Sequence, residues 1–339
     1  MVTRITINKA SPAAVQQRSL SSFTQKLISV SIQLADNPGT NQPNFFNLPD
    51  GSQASSATFS NPTTGQQLRT SVRIQNSGSP SYSAAQVRIW GLPLSVVNQL
   101  STLGMQLNLI PKNNIAVMAG DSISGLSTVF TGTIQQAYAD FNAMPDTPMC
   151  FECRFGLGPG TALAKPGSFP GSQSVASIMQ TYAKALSLNF ENNGVNGNLS
   201  KSYFKGSLID QVAACRDAAG IGAEFVDGGT TLAIFPKFGS RATQPIPVIS
   251  APLSDGTGTM ITYPSYTQQG ILVHTLFDPA IKFFGQAQVQ SSLYKASGLW
   301  VVHKLDLALD AMLPNGEWKA DVYCYAPGNK TSTPIMPPP

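Results

Sequence analysis

The chain has 339 residues, of which 42% are apolar and only 11% charged, against a usual charged share of ~25%. It carries four cysteines and a net charge of +4, and no apolar run approaches the ~20 residues that cross a bilayer as a helix. These values exclude a helical membrane protein, a disulfide framework and a disordered chain, and so low a charge suits a subunit that buries much of its surface against neighbours.

Residues 1–22 are polar and Ser/Gln-rich and read as an N-terminal arm. Met1–Ala10 has no hydrophobic signal core, so synthesis in the cytoplasm without a secretory leader is expected. Ile28, Val30, Ile32 and Leu34 alternate with polar residues, the period of a half-buried strand. Residues 36–66 read as a long Asn/Pro/Gly/Ser loop holding the pair Phe45–Phe46. Strands are predicted at Leu68–Gln75 and Ala85–Trp90. A short helix follows through Leu94, Val97, Leu100 and Leu103, with Pro93 suited to its first turn. Further strands are predicted at Ile115–Ala119, Val129–Tyr138 and Met149–Phe155.

The character changes near residue 157. A Gly/Pro-rich linker leads to a helix with Val175, Ile178, Met179, Tyr182 and Leu186 on one stripe. A second helix starts at Ser207, which can form a capping box with Asp210, and ends at Gly220. Asp227–Thr230 then turns a hairpin between Glu224–Val226 and Thr231–Phe235. The last segment is β again, with strands at Gly270–Thr275, Gln286–Ser292, Leu299–Leu309 and Trp318–Tyr325, before a Pro-rich tail. The fold class is therefore mainly β with a small α+β insertion. Its predicted units are an arm 1–22, a first β-barrel domain 23–156, a linker 157–171, an α+β module 172–240, a second β-barrel domain 241–328 and a tail 329–339.

The two β segments resemble each other. Val87-Arg88-Ile89-Trp90-Gly91-Leu92-Pro93 matches Val273-His274-Thr275-Leu276-Phe277-Asp278-Pro279 as a strand running into a proline turn. Ser124-Gly125-Leu126 matches Ser297-Gly298-Leu299, and each is followed by a long strand. Ala143-Met144-Pro145 and Ala311-Met312-Leu313-Pro314 then precede a last strand holding Cys153 or Cys324. A structural duplication and a chance sharing of turn chemistry both fit this pattern. A duplication requires a shorter turn-helix region in the second copy.

Residues that carry chemistry are sparse. Cys150 and Cys153, three apart on a strand, point to opposite faces, and no second close pair completes a metal site. His274 and His303 lie inside apolar strands, where a hydrogen-bonded strand histidine is the expected role, and no Gly-x-Ser-x-Gly elbow occurs. Glu152, Glu191, Glu224 and Glu317 show no pairing suited to glycoside hydrolysis. Pro159 removes a backbone donor that a phosphate loop would use. No catalytic, metal or cofactor-binding residue is assigned and no cofactor is expected. Residues 1–170 hold 10 Lys+Arg and 6 Asp+Glu, residues 171–339 hold 11 of each, and no basic block marks a nucleic-acid binder. Neither Phe45–Phe46 nor Phe283–Phe284 can bury both rings from an extended strand, so these four are candidate interface anchors, with local loop packing as the other reading.

The segments Gly270-Ile271-Leu272-Val273, Leu276-Phe277-Asp278-Pro279-Ala280-Ile281, Gly298–His303 and Pro314-Asn315-Gly316-Glu317-Trp318 resemble the C-terminal part of phage baseplate hub proteins. Trp90-Gly91-Leu92 with its helix, Ala119-Gly120-Asp121 and Val129–Ile134 are similar to the first barrel of these hubs. The positions that carry the likeness are Gly91, Leu92, Phe130, Gly132, Gly270, Phe277, Asp278, Pro279, Gly298 and Trp318. Phe283-Phe284-Gly285 and the Pro-rich tail depart from it. The resemblance implies a non-enzymatic virion protein: a homotrimer with two tube-type β-barrels per subunit, forming a pseudo-sixfold ring. It implies a tail tube protein above, a spike or tail-tip protein below, other baseplate proteins around, and DNA passing through the lumen without sequence-specific binding. A distal tail or tube adaptor is the nearest alternative, and a ligand- or glycan-binding β protein is the alternative of another class.

Overall fold

The structure is a computed structural model. It describes residues 24–327 apart from 37–41, 48–51, 61–66, 103–111, 158–159, 161–163, 243 and 253–257. The predicted arm 1–22, the tail 329–339 and Leu103 lie outside the described residues.

In chain order the first β segment holds β1 (Lys26–Gln33), β2 (Phe46–Asn47), β3 (Gln53–Ala54), β4 (Ser56–Phe59), β5 (Thr70–Asn76), β6 (Ser83–Trp90), α1 (Leu94–Leu100), β7 (Asn114–Asp121), β8 (Gly125–Ala139) and β9 (Pro148–Arg154). The middle holds β10 (Gly167–Ser174), α2 (Val175–Ala185), β11 (Asn189–Asn192), β12 (Asn198–Phe204), α3 (Leu208–Ala219), β13 (Ile221–Val226) and β14 (Thr231–Pro236). The last segment holds β15 (Val248–Ser250), β16 (Ser265–Tyr266), β17 (Gly270–Leu276), β18 (Gln286–Gln290), β19 (Gly298–Ala311) and β20 (Trp318–Tyr325).

Strands of both β segments belong to one 13-stranded sheet, ordered β16-β17-β20-β19-β5-β6-β9-β8-β7-β1-β4, with β18 on β19 and β15 on β18. β19 joins the halves. Its first residues pair with β18, its residues Leu305–Ala311 pair with β5, and β20 runs along its other side. Alternation along β6, β17 and β20 sends Val87, Ile89, Ile271, Val273, Ala320 and Val322 into a single core that spans both segments.

The α+β module has its own core. Val175, Ile178, Met179 and Tyr182 of α2 are buried against α3 and β14. Ser207 caps α3 in a reciprocal box with Asp210, and Gly220 ends it at φ 63°, as the local sequence requires. β13 and β14 pair antiparallel from Val226–Thr231 onward, and β11 adds to β14 in parallel.

Three expectations change. The stretch 36–66 is not a plain loop, because β4 pairs with β1 and Phe46 packs edge-on to Phe59 at 5.8 Å. Ser56-Ala57-Thr58-Phe59 is too short and polar to stand out as a strand by itself. The last residues of the predicted linker, 167–171, fall in β10, which pairs with β12. In α1 Leu100 is buried and Val96 and Val97 pack partly buried against the core, while Leu94 is exposed.

Candidate assembly interface

The two β segments share one strand order. In the first it runs β5-β6-β9-β8-β7-β1, and in the second β16-β17-β20-β19-β18-β15. Corresponding pairs are antiparallel throughout except the last, where β15 runs parallel to β18 while β1 runs antiparallel to β7. The matched sequence segments fall on matching strands. Cys153 of β9 pairs with Ala85 and Ile134, and Cys324 of β20 pairs with Ile271 and Val302. Ala85 and Ile271 stand at the same offset as Val87 and Val273. The long strands β8 and β19 slip register at the same place, between Ile134 and Gln136 and between Val302 and Lys304. The region between β6 and β7 holds α1, whereas only a short turn separates β17 from β18.

Where the halves meet, β5 lies against β19 with Ile74 opposite Leu307 and Arg73 opposite Ala308. The Arg73 guanidinium donates to both oxygens of Asp310 at 2.7 and 3.1 Å and to Glu317 at 3.1 Å. Burial alone pushes the Asp310 carboxyl up, and the hydrogen bonds led by Arg73 reverse this and hold it below its ordinary value. Lys26 of β1 sits over the Trp318 ring of β20, a second tie between the halves.

The module is fastened by a buried arginine. Arg241 donates to Glu191 at 2.6 and 3.1 Å and to Asp227 at 2.7 and 3.0 Å, and Lys282 of the second segment lies 3.6 Å from Asp227. Nearby, Thr131 of β8 donates to the Gly228 carbonyl at 2.7 Å. Gly228 has φ 67°, and a side chain there would press on the β8 backbone, so glycine lets the hairpin tip dock. A cleft of about 510 Å³ opens between module and sheet, lined by Arg216, Glu224, Phe284, His303 and Tyr325 among others. In it the Glu224 carboxylate accepts from the Ser79 N–H at 2.8 Å. Burial raises that carboxyl to about 7, against the opposing pull of Ser79 and Arg216.

The candidate chemical groups are buried or hydrogen-bonded within the fold. Cys150, Cys153, Cys215 and Cys324 are free and buried, and burial pushes the Cys215 and Cys324 thiols up to about 12. His274 contacts Asp321 at 2.6 Å. His303 is held by the Tyr323 carbonyl at 3.0 Å and the Gln269 side chain at 2.7 Å, and burial lowers it to about 4. Among the described residues, no group of three or more His, Cys, Asp or Glu could hold a metal ion.

The sequence profile of the family described as baseplate hub gp41 matches residues 47–312. The chain belongs to the baseplate hub gp41 family. The hub protein is thus a structural component of the phage tail baseplate, a part of the virion and not an enzyme. Its fold is similar to that of a tail protein from Neisseria meningitidis MC58, with a TM-score of 0.55 and 8% identity over 89% of this chain and 97% of that one. It is also similar to the 43 kDa tail protein of prophage MuSo2 from Shewanella oneidensis, with a TM-score of 0.53 and 10% identity over 88% of this chain and 97% of that one. No curated protein sequence matches the chain.

The predicted anchors separate in the hub protein. Phe46 and Phe283 are buried, Phe284 stacks on Phe235 at 5.0 Å, and Phe45 is the exposed member of the four. The hub-like positions have structural work. Phe130 is buried and Gly132 leaves room for its ring; Gly91 turns the chain at φ 84° with Leu92 packed on the core. Gly270 lies where a side chain would strike the Cys324 carbonyl, and Gly298 opens β19. Phe277 packs edge-on to Trp318 at 5.7 Å, and buried Asp278 accepts from the Ala280 N–H ahead of the turn through Pro279. Sequence reasoning did not single out Arg73, Asp310 or Arg241. Their one sequence signal is the rarity of charge in this chain, sharpest for Arg73 and Asp310, which fall on strands β5 and β19.

Proposed function

We propose that the hub protein acts as a homotrimer whose six repeat units, two per chain, form a pseudo-sixfold ring of tube-type barrels. The ring joins the sixfold tail tube on one side to the threefold spike or tail tip on the other, which is how a closed threefold assembly can meet both symmetries. The observation that carries this reading is the common strand order of the two β segments, fused through β5 and β19 into one sheet. Two equivalent units fixed side by side in one chain are what a sixfold neighbour needs from three subunits.

In this reading the α+β module stands outside the ring and docks other baseplate proteins, while residues 1–22 and 329–339 clamp neighbours after synthesis in the host cytoplasm. DNA passes through the lumen without sequence-specific contacts. Light scattering of the purified protein over a concentration series tests the proposal. A mass near three times 35.9 kDa is expected; a monomer at every concentration contradicts it.

A further inference from the structure

The junction inside the chain specifies a second junction that the single chain cannot make. β5, the outermost strand of the first unit, lies on the far half of β19, the long strand of the second. The counterpart of β5 is β16, and the counterpart of β19 is β8. β16 has β17 on one side and no strand on the other among the described residues.

The hydrogen-bond ladder gives the register. Ile74 pairs with Ala85, and Tyr266 pairs with Ile271, the counterpart of Ala85, so Tyr266 stands where Ile74 stands. Leu307 pairs with Ala320, which faces Thr275; Ala139 pairs with Met149, which faces Ile89. Ala139 therefore stands where Leu307 stands. Ile74 faces Leu307 within the chain.

We infer that Tyr266 of one copy faces Ala139 of the next, so that the segment Ile261–Tyr266 seats on the end of β8 and the following turn, Tyr138–Met144, of a second copy of this chain. Two further features fit. First, β5 reaches Asn76, which faces Leu305, while β16 stops at Tyr266, two residues short of the counterpart of Asn76. The corresponding rung on β8 is Ala137, and there Thr102 fills the place: its N–H donates to the Ala137 carbonyl at 2.8 Å, and its hydroxyl accepts from the Ala137 N–H at 3.0 Å. The shorter strand and the pre-filled rung complement each other. Second, both surfaces are apolar and open. Ile261, Tyr263 and Tyr266 are 50–67% exposed, and Phe141 and Met144 are 61% and 71% exposed, with Tyr138 beside them. Such a head-to-tail contact repeats around a ring and covers the open side of β16 and the end of β8, while β4 and β15 keep one open side each among the described residues.

This inference rests on the trimer reading and can fail without it. The test is the double variant Ala139→Cys/Tyr266→Cys, oxidised and run on a denaturing gel, with Gln75→Cys/Asp306→Cys as the within-chain control. Facing strand residues lie at disulfide distance, and the four native cysteines are buried. Covalent species of two and three chains are expected from the double variant and none from either single one. A threefold mass in solution without cross-linked chains, while the control closes its disulfide, overturns this interface and leaves the trimer standing. A monomer at every concentration overturns both. Independently, Tyr263→Glu and Phe141→Glu should each reduce the threefold mass to that of one chain with an unchanged far-UV circular dichroism spectrum and a Tm that no longer depends on protein concentration, and a threefold mass in both variants would also contradict the interface.

Discussion

Cys153 and Cys324 occupy the same rung of the two repeated units, each buried and each between a strand-end partner and the long strand of its unit. Equivalent positions should respond alike. Cys153→Ala and Cys324→Ala should each cost about 1–2 kcal/mol in urea unfolding and agree to within about 1 kcal/mol. The thiols should also resist Ellman's reagent in the folded protein and all react on unfolding, since burial keeps them protonated.

Glycines in the two units differ in what they protect. A methyl group on Gly270 would collide with the Cys324 carbonyl across the β17–β20 ladder, while one on Gly125, at φ 77° in the β7–β8 turn, would meet open space. Gly270→Ala should therefore cost about 2–4 kcal/mol, and Gly125→Ala only about 1 kcal/mol from its backbone conformation. Equal losses in thermal or denaturant unfolding would contradict this.

Much of this architecture was legible in the residues. Trp318–Tyr325 reads as a strand because its alternation is clean, Ser207 and Gly220 bracket α3 by their capping chemistry, and the Val87/Val273 and Cys153/Cys324 matches fall on equivalent rungs. What was hidden depends on distant partners. β4, β11 and β16 are two to four residues long and exist only because β1, β14 and β17 pair with them. The fusion of the halves through Ile74 and Leu307 joins residues more than two hundred positions apart, and no local pattern encodes that. The Arg241 cluster was hidden for the same reason, since its carboxylates come from β11 and the β13–β14 turn.

Arg241 should govern acid stability. Burial pushes Glu191 and Asp227 up, but hydrogen bonds from Arg241 outweigh it and hold both below their ordinary range. Their contribution is therefore present above the ordinary carboxylate range and lost as pH falls through the lowered values. Arg241→Met should cost about 2–4 kcal/mol at pH 7 by removing the shared partner of two carboxylates, which keep only Asn193 and Lys282, with Arg241→Lys intermediate because it lacks the planar fork. Denaturant midpoints between pH 7 and pH 3 should fall less steeply in the Met variant than in the unaltered protein.

Glu224 works in the opposite sense. Its carboxyl is raised to about 7, so its contribution is complete below the ordinary value of 4.5 and lost as pH rises through about 7. Glu224→Gln should remove this dependence. Relative to the variant, the unaltered protein should lose up to about 3 kcal/mol between pH 4.5 and pH 8. Parallel stability profiles of the two proteins would show that the cleft does not hold a proton at neutral pH.

The most direct test is electron cryomicroscopy of the assembled baseplate, averaged about the tail axis without imposed symmetry. Three copies of this chain are expected, with the first and second β segments of each alternating around the axis as six matching densities. Six copies in the ring, or β segments stacked along the axis and not alternating around it, would contradict this.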